Sequence, residues 1–247
     1  MDKDLARYSR QIVLPQIGVN GQQLLLDSCV LVIGVGGLGT VASLYLAAAG
    51  VGRLILADRD RVELSNLQRQ ILYQQTDVGR QKTEAARARL LAQNPQLQID
   101  LQQGRLTPED LQRRIAEADV VLDCSDNFKT RFAVNAACVA VRKPLVTGAA
   151  IRFEGQLLVC DPRDTRSPCY ACLFGHDGDA DDQDRCEEAG VLGPVVGTIG
   201  SLQALEAIKL LTGLPAAVGQ LQTWDALKSD WRKLLAPPDP NCPVCGG

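Results

Sequence analysis

Three groups of residues in this 247-residue chain have types and spacings that could do chemistry. The first is Gly34-Val35-Gly36-Gly37-Leu38-Gly39, which fits G-x-G-x-x-G between an apolar run and a helix-length segment. Glycines there permit a tight turn and let phosphates approach the backbone, while the following helix offers amide N–H groups and a partial positive charge. Asp58, nineteen residues after Gly39, sits where ribose hydroxyls would be accepted. The motif specifies an adenosine-and-phosphate cradle and does not choose among nucleotides. On its own it makes NAD the default, so an NAD-dependent oxidoreductase is a competing class.

The second group is two pairs of cysteines, Cys169-Tyr170-Ala171-Cys172 and Cys242-Pro243-Val244-Cys245, with 69 residues between them. Each pair can aim two thiolates at one ion, and two pairs close a four-cysteine zinc site with no open position, hence a structural one. The third is Asp177 to Glu188, seven acidic residues in twelve around Cys186. Neighbouring carboxylates disfavour a thiolate there and Arg185 favours it. Cys29, Cys124, Cys138 and Cys160 fit buried apolar thiols, and His176 carries no assigned role.

The elements that must position these groups alternate. Val30 to Ile33 and Leu54 to Ala57 are short buried strands, Arg80 to Ala92 is an amphipathic helix, and Leu97 to Leu101 is a strand. Thr107-Pro108-Glu109-Asp110 starts a helix, with Thr as cap and Pro in the first turn. Strand Val120 to Leu122, helix Asn127 to Val141 and strand Leu145 to Thr147 complete the series. Such alternation predicts a Rossmann-like, doubly wound, mostly parallel α/β sheet. After Gly148 the pattern changes. Phe153 to Val159 reads as a strand, Thr198 to Leu211 as a helix, and Gln220 to Leu235 as an antiparallel extension. We therefore expect one domain over 1–247: a helical segment 1–28 broken near Pro15 and Gly18, a nucleotide-binding half 29–148, and a zinc-containing half 149–247.

Composition narrows the function classes. A net charge of −3 argues against nucleic acid. Ser28 to Gly52 is uncharged and long enough to span a bilayer, but its glycines fit a strand, a turn and a buried helix better. Nine cysteines without a secretory pattern suggest a reducing, cytoplasmic setting.

Discrimination among nucleotides comes from Ser65-Asn66-Leu67-Gln68-Arg69-Gln70, Lys82, Asp123-Cys124-Ser125-Asp126-Asn127, and Arg7-Tyr8-Ser9-Arg10-Gln11-Ile12. With the paired CxxC motifs, these resemble the ThiF/MoeB family of bacterial adenylyltransferases, related to the ubiquitin-activating enzymes, over essentially the whole chain. The resemblance implies ATP-dependent adenylylation of the C-terminal glycine of a ubiquitin-like sulfur carrier, ThiS- or MoaD-like, in thiamine or molybdopterin biosynthesis. It places Arg69 and Lys82 on phosphates, Ser65, Asn66 and Asn127 at the nucleotide, and Asp126 on Mg²⁺. Arg10 would serve the neighbouring subunit's site, implying a homodimer. Cys186 matches the cysteine that some members use for a covalent sulfur intermediate, and an incidental thiol is the alternative. A cysteine desulfurase or rhodanese-type protein would donate sulfur. Segments such as Leu54 to Leu72 look closer to ThiF and Gly148 to Gln156 closer to MoeB, so no single carrier is selected. A zinc-stabilised nucleotide-sensing module, binding ATP without releasing pyrophosphate, is the non-enzyme alternative.

Overall fold

The computed structural model describes residues 6–104, 106–175 and 189–246. Eight strands form one sheet: β1 (Cys29–Ile33), β2 (Arg53–Asp58), β3 (Gln98–Gln103), β4 (Val120–Asp123), β5 (Leu145–Ile151), β6 (Glu154–Cys160), β7 (Gln220–Asp225) and β8 (Asp230–Leu235). Their spatial order is β3-β2-β1-β4-β5-β6-β7-β8. The first five pair in parallel and the last three are added antiparallel. β1 is buried along its whole length, as a central parallel strand covered on both faces must be.

The helices are α1 (Ser9–Ile12), α2 (Gly18–Leu26), α3 (Gly37–Ala49), α4 (Lys82–Gln93), α5 (Pro108–Glu117), α6 (Phe128–Ala140), α7 (Tyr170–Phe174) and α8 (Gly193–Leu211). One face of the sheet buries Val30, Val32, Leu54 and Leu56 against Leu46 of α3, Leu90 of α4 and Ile199 of α8. The other buries Leu31, Ile55 and Val121 against Ile115 of α5 and Val134 of α6. Leu46, Leu54 and Leu90 are fully buried, and shortening any one to alanine costs about 2–5 kcal/mol.

Several expectations shift. The Thr198 helix begins five residues earlier, at Gly193, with Pro194 in its first turn, where a missing N–H costs nothing. Phe153 lies outside β6, because Ile151 pairs directly with Glu154 and leaves Arg152-Phe153 as a two-residue hairpin turn, Arg152 at φ 52°. Ser28 to Gly52 holds β1, the glycine turn and α3, and no described helix is long and apolar enough to cross a membrane. Asp177 to Glu188, Cys186 and His176 lie outside the described residues.

Candidate functional site

The order β2-β1-β4 places the reversal of winding between β1 and β4, where open parallel sheets form a crevice at their carboxyl ends. The turn after β1 and the turn after β4 touch there. Gly34 has φ +86°, and a Cβ on it would stand 2.7 Å from the Cys124 carbonyl oxygen. Only glycine permits that backbone and that approach together. Gly36 caps α3 without a side-chain hydrogen bond, so the first amides of the helix have no partner from within it.

The neighbouring elements hold this loop in place. Val35 N–H donates to Asp58 Oδ2 at 2.7 Å, and Asp60 N–H donates to Asp58 Oδ1 at 2.8 Å. Burial raises the Asp58 carboxyl above its ordinary value, opposed by the charge of Lys82 and by those two amides. The Tyr73 hydroxyl donates to the Val35 carbonyl at 2.7 Å, with the Lys82 carbonyl at 3.2 Å. Lys82, the first residue of α4, is itself buried and donates from Nζ to Asp60 Oδ2 at 3.0 Å. An ammonium in so enclosed a place is not an ordinary solvated lysine.

The segment after β2 lies across the loop. A Cβ on Gly37 would meet the Arg69 carbonyl at 3.5 Å, and one on Gly36 would meet Gln70 Nε2 at 3.6 Å. Asn66 is buried and accepts from the Glu63 amide at 3.2 Å, closing a short 3₁₀ turn. Ser65 is exposed, with its hydroxyl on Glu63 Oε2, and Arg69 Nη1 donates to the Ser65 carbonyl at 3.2 Å. Gln70 is 4% exposed and its Oε1 has no partner among the described residues. A buried polar atom left unpaired beside an uncapped helix start marks a surface shaped for a ligand, so these residues fit a nucleotide.

On the far side of the crevice Asp126 is exposed and, among the described residues, accepts only from Asn127 Nδ2, at 3.3 Å. Asn127, rather than Asp126, caps α6, accepting from the Thr130 amide at 2.9 Å. Asp126 is left free to ligate a cation. Gly34, Gly36, Gly37, Gly39, Asp58, Ser65, Asn66, Arg69, Lys82, Asp126 and Asn127 thus sit on the turns, strand ends and helix starts at the carboxyl end of the parallel sheet. Arg10 does not join them. It is exposed on α1, and its neighbour Gln11 donates to the Ala49 carbonyl at the opposite end of α3, about 18 Å along the helix.

The four CxxC cysteines converge. Their sulfurs lie within 4.8 Å of one another. Cys169 is 3.7 Å from Cys242 and 3.8 Å from Cys172, and Cys172 is 3.3 Å from Cys245. A tetrahedral ion with sulfur at about 2.3 Å spaces its ligands about 3.8 Å apart, so the cluster could hold a metal ion. Asn135 of α6 donates to Cys169 Sγ at 3.5 Å and accepts from the Tyr170 amide at 2.8 Å. The sequence gives no sign of this partner, nor of Tyr73 and Gln70. Each is a polar residue in an ordinary position whose meaning comes from a contact distant in the chain.

A model of the ThiF family matches residues 8–244. The sulfur carrier protein ThiS adenylyltransferase of Escherichia coli K12 is 53% identical over 246 residues, spanning 100% of this chain and 97% of its own length. The molybdopterin-synthase adenylyltransferase of the same strain is 47% identical, with 99% and 98% spanned. Among solved structures, E. coli MccB with ATP superposes with a TM-score of 0.85 at 26% identity, covering 97% of this chain and 74% of that one.

Proposed function

Because this chain belongs to the ThiF family, we propose that it is an adenylyltransferase that uses ATP to activate the C-terminal glycine of a ubiquitin-like sulfur carrier of the ThiS or MoaD kind. A carboxylate oxygen of the carrier attacks the α-phosphorus of ATP, the bond to the bridging oxygen breaks, and pyrophosphate leaves. The product is an acyl-adenylate, ready for thiocarboxylate formation in thiamine or molybdopterin biosynthesis. Such a reaction asks for positioning and charge neutralisation, with little proton transfer.

The observation that carries the reading is the pairing of a buried ammonium and a free carboxylate across one glycine loop. Lys82 supplies fixed positive charge beside the loop. Arg69 reaches out from the segment covering it and can fork onto phosphate. Asp58 anchors the loop and keeps lone pairs for ribose hydroxyls. Asn66, Ser65 and Asn127 frame the nucleotide. Asp126 would hold Mg²⁺, which supplies neutralisation of phosphate charge when bound. Neither Lys82 nor Asp126 has an evident task in hydride transfer, which separates this reading from an NAD enzyme.

The cysteine cluster is assigned to structural zinc, since four thiolates fill a tetrahedral shell. The half 149–247 is assigned to binding the carrier. Arg10 acts in the site of a second copy, a role supported by its distance from its own crevice. A groove of about 370 Å³ beside it, lined by Gln11, Tyr45, Ala48, Ala204, Leu205 and Ile208, has the apolar character that a second copy would cover. A cysteine desulfurase or rhodanese-type protein donates the sulfur, and Cys186 carries the covalent sulfur link. The setting is cytoplasmic.

Carrier-dependent ATP–pyrophosphate exchange tests the core of this. Asp126→Ala should abolish exchange while the fold survives, and retained exchange would sink the assignment. Tight NAD binding by the wild-type chain would favour the dehydrogenase instead. Cys186→Ala should adenylate normally and fail in sulfur delivery, and complete delivery would remove that role.

A further inference from the structure

Asp126 is bare, but the residue three before it is enclosed. Asp123 ends β4 with 0% exposure. Its Oδ1 accepts from the Ser125 amide at 3.0 Å and from the Ser125 hydroxyl at 2.6 Å, and its Oδ2 accepts from the Thr147 hydroxyl at 3.2 Å. The main chain of the same turn is gripped as well. Gln203 of α8, fully buried, donates from Nε2 to the Asp123 carbonyl at 2.8 Å. Arg131 of α6, also buried, donates from Nη2 to the Ser125 carbonyl at 2.7 Å. Burying a carboxylate is costly unless its oxygens accept hydrogen bonds, and here two donors on one short turn and a third from β5 supply them. The fixing stops at Ser125, and the next side chain is the exposed acid.

We propose that Asp123 is a positioning residue for adenylylation: its buried carboxylate folds the Ser125 turn back on itself and so aims Asp126 at the cation of the nucleotide site. This rests on the reading of Asp126 as the cation ligand. Asp123 does not reach the crevice, since all three of its side-chain bonds are to Ser125 and Thr147. Asparagine could preserve them, with its oxygen accepting from Ser125 and its amide donating to the Thr147 hydroxyl. Alanine could not. The two substitutions therefore separate geometry from charge.

The test measures Mn²⁺ binding to the ATP-loaded full chain by electron paramagnetic resonance, alongside exchange kinetics. Loss of bonds to a buried charged group corresponds to about a tenfold effect or more. Asp123→Ala should weaken Mn²⁺ binding by about that factor and raise the KM for Mg·ATP in step. Binding of ATP without metal should fall less than the metal affinity, because none of the three lost bonds is made to the glycine loop. Asp123→Asn should stay within about threefold of wild type for both. If Asp123→Ala does not fold, Ser125→Ala decides. It removes the 2.6 Å bond alone and should weaken Mn²⁺ binding about three- to tenfold. An Asn variant as impaired as the Ala variant would overturn the proposal, because the charge itself would then be the requirement. Wild-type Mn²⁺ affinity in both Asp123→Ala and Ser125→Ala would overturn it too. Wild-type Mn²⁺ affinity in Asp126→Ala is a separate result: it would remove the cation reading of Asp126, and the positioning role with it.

Discussion

Two glycines two positions apart should respond to the same methyl group in opposite ways. At Gly34 an added Cβ falls 2.7 Å from the Cys124 carbonyl oxygen and 2.9 Å from its carbon, both backbone atoms with nowhere to swing. Alanine at φ +86° costs about 1–2 kcal/mol. Overpacking adds about 1–3 kcal/mol, and the stiffer unfolded chain returns about 0.4–1 kcal/mol. The net loss for Gly34→Ala is about 1–5 kcal/mol, and its midpoint of about 3 kcal/mol corresponds to a fall in Tm of about 6–12 °C for a chain of this size. At Gly36 the nearest atom is Gln70 Nε2 at 3.6 Å, an ordinary contact, and the rest is open. Gly36→Ala should keep its Tm within about 2 °C and weaken ATP at least about tenfold, because the methyl stands where phosphates must approach the backbone. Thermal unfolding and titration with a fluorescent ATP analogue read the two effects separately. A Gly34→Ala variant melting with wild type would refute the close approach of the β1 and β4 turns. Unaltered ATP binding by Gly36→Ala would refute the placing of phosphates at that loop.

Other substitutions and reagents probe the same geometry. Lys82→Ala should lower exchange by about 10²–10³-fold, the usual loss on deleting one donor to developing charge, and a fall under fivefold would show that Lys82 does not face the phosphates. Asn127→Ala removes the cap of α6 and should cost about 1 kcal/mol, or about 2–4 °C in Tm; an unchanged melt would contradict the cap. Burial pushes the thiols of Cys124, Cys138 and Cys160 well above their ordinary range, and that of Cys29 up to about 11. Thiolate, the reactive form, is then scarce at pH 8. Peptide mapping after iodoacetamide treatment of native protein should find these four unlabelled, and label on any of them would show its site to be open.

Much of this fold is written in short-range patterns. The glycine turn and each CxxC pair span only a few residues, and strand–helix alternation repeats over short segments, so a mostly parallel α/β sheet can be read from them. The start of α8 escaped the same reading because Gly193, Pro194 and Gly197 look like loop. A Cβ on Gly200 would stand 2.6 Å from the Leu38 carbonyl, so glycine there lets α8 lie against α3 rather than breaking the helix. Lys82 read alone is a solvated surface charge, and its burial depends on Asp60 and on the turn that Tyr73 ties to α4. Asp123, Arg131 and Gln203 were illegible for a related reason. The Gln203 partner lies 80 residues away, and no local periodicity encodes that pairing.

The cysteine cluster also sets an order of events during synthesis. Cys169 and Cys172 leave the ribosome long before Cys242 and Cys245. At about 5–20 residues per second the first pair waits roughly 4–15 s for the second. By then β1 to β6 have all been made, so the parallel sheet can assemble before the staple closes. A metal bound by the four sulfurs would therefore close on a nucleotide half that is free to fold first. Were the cluster to hold one, a cell short of it would accumulate chains with an unfastened end.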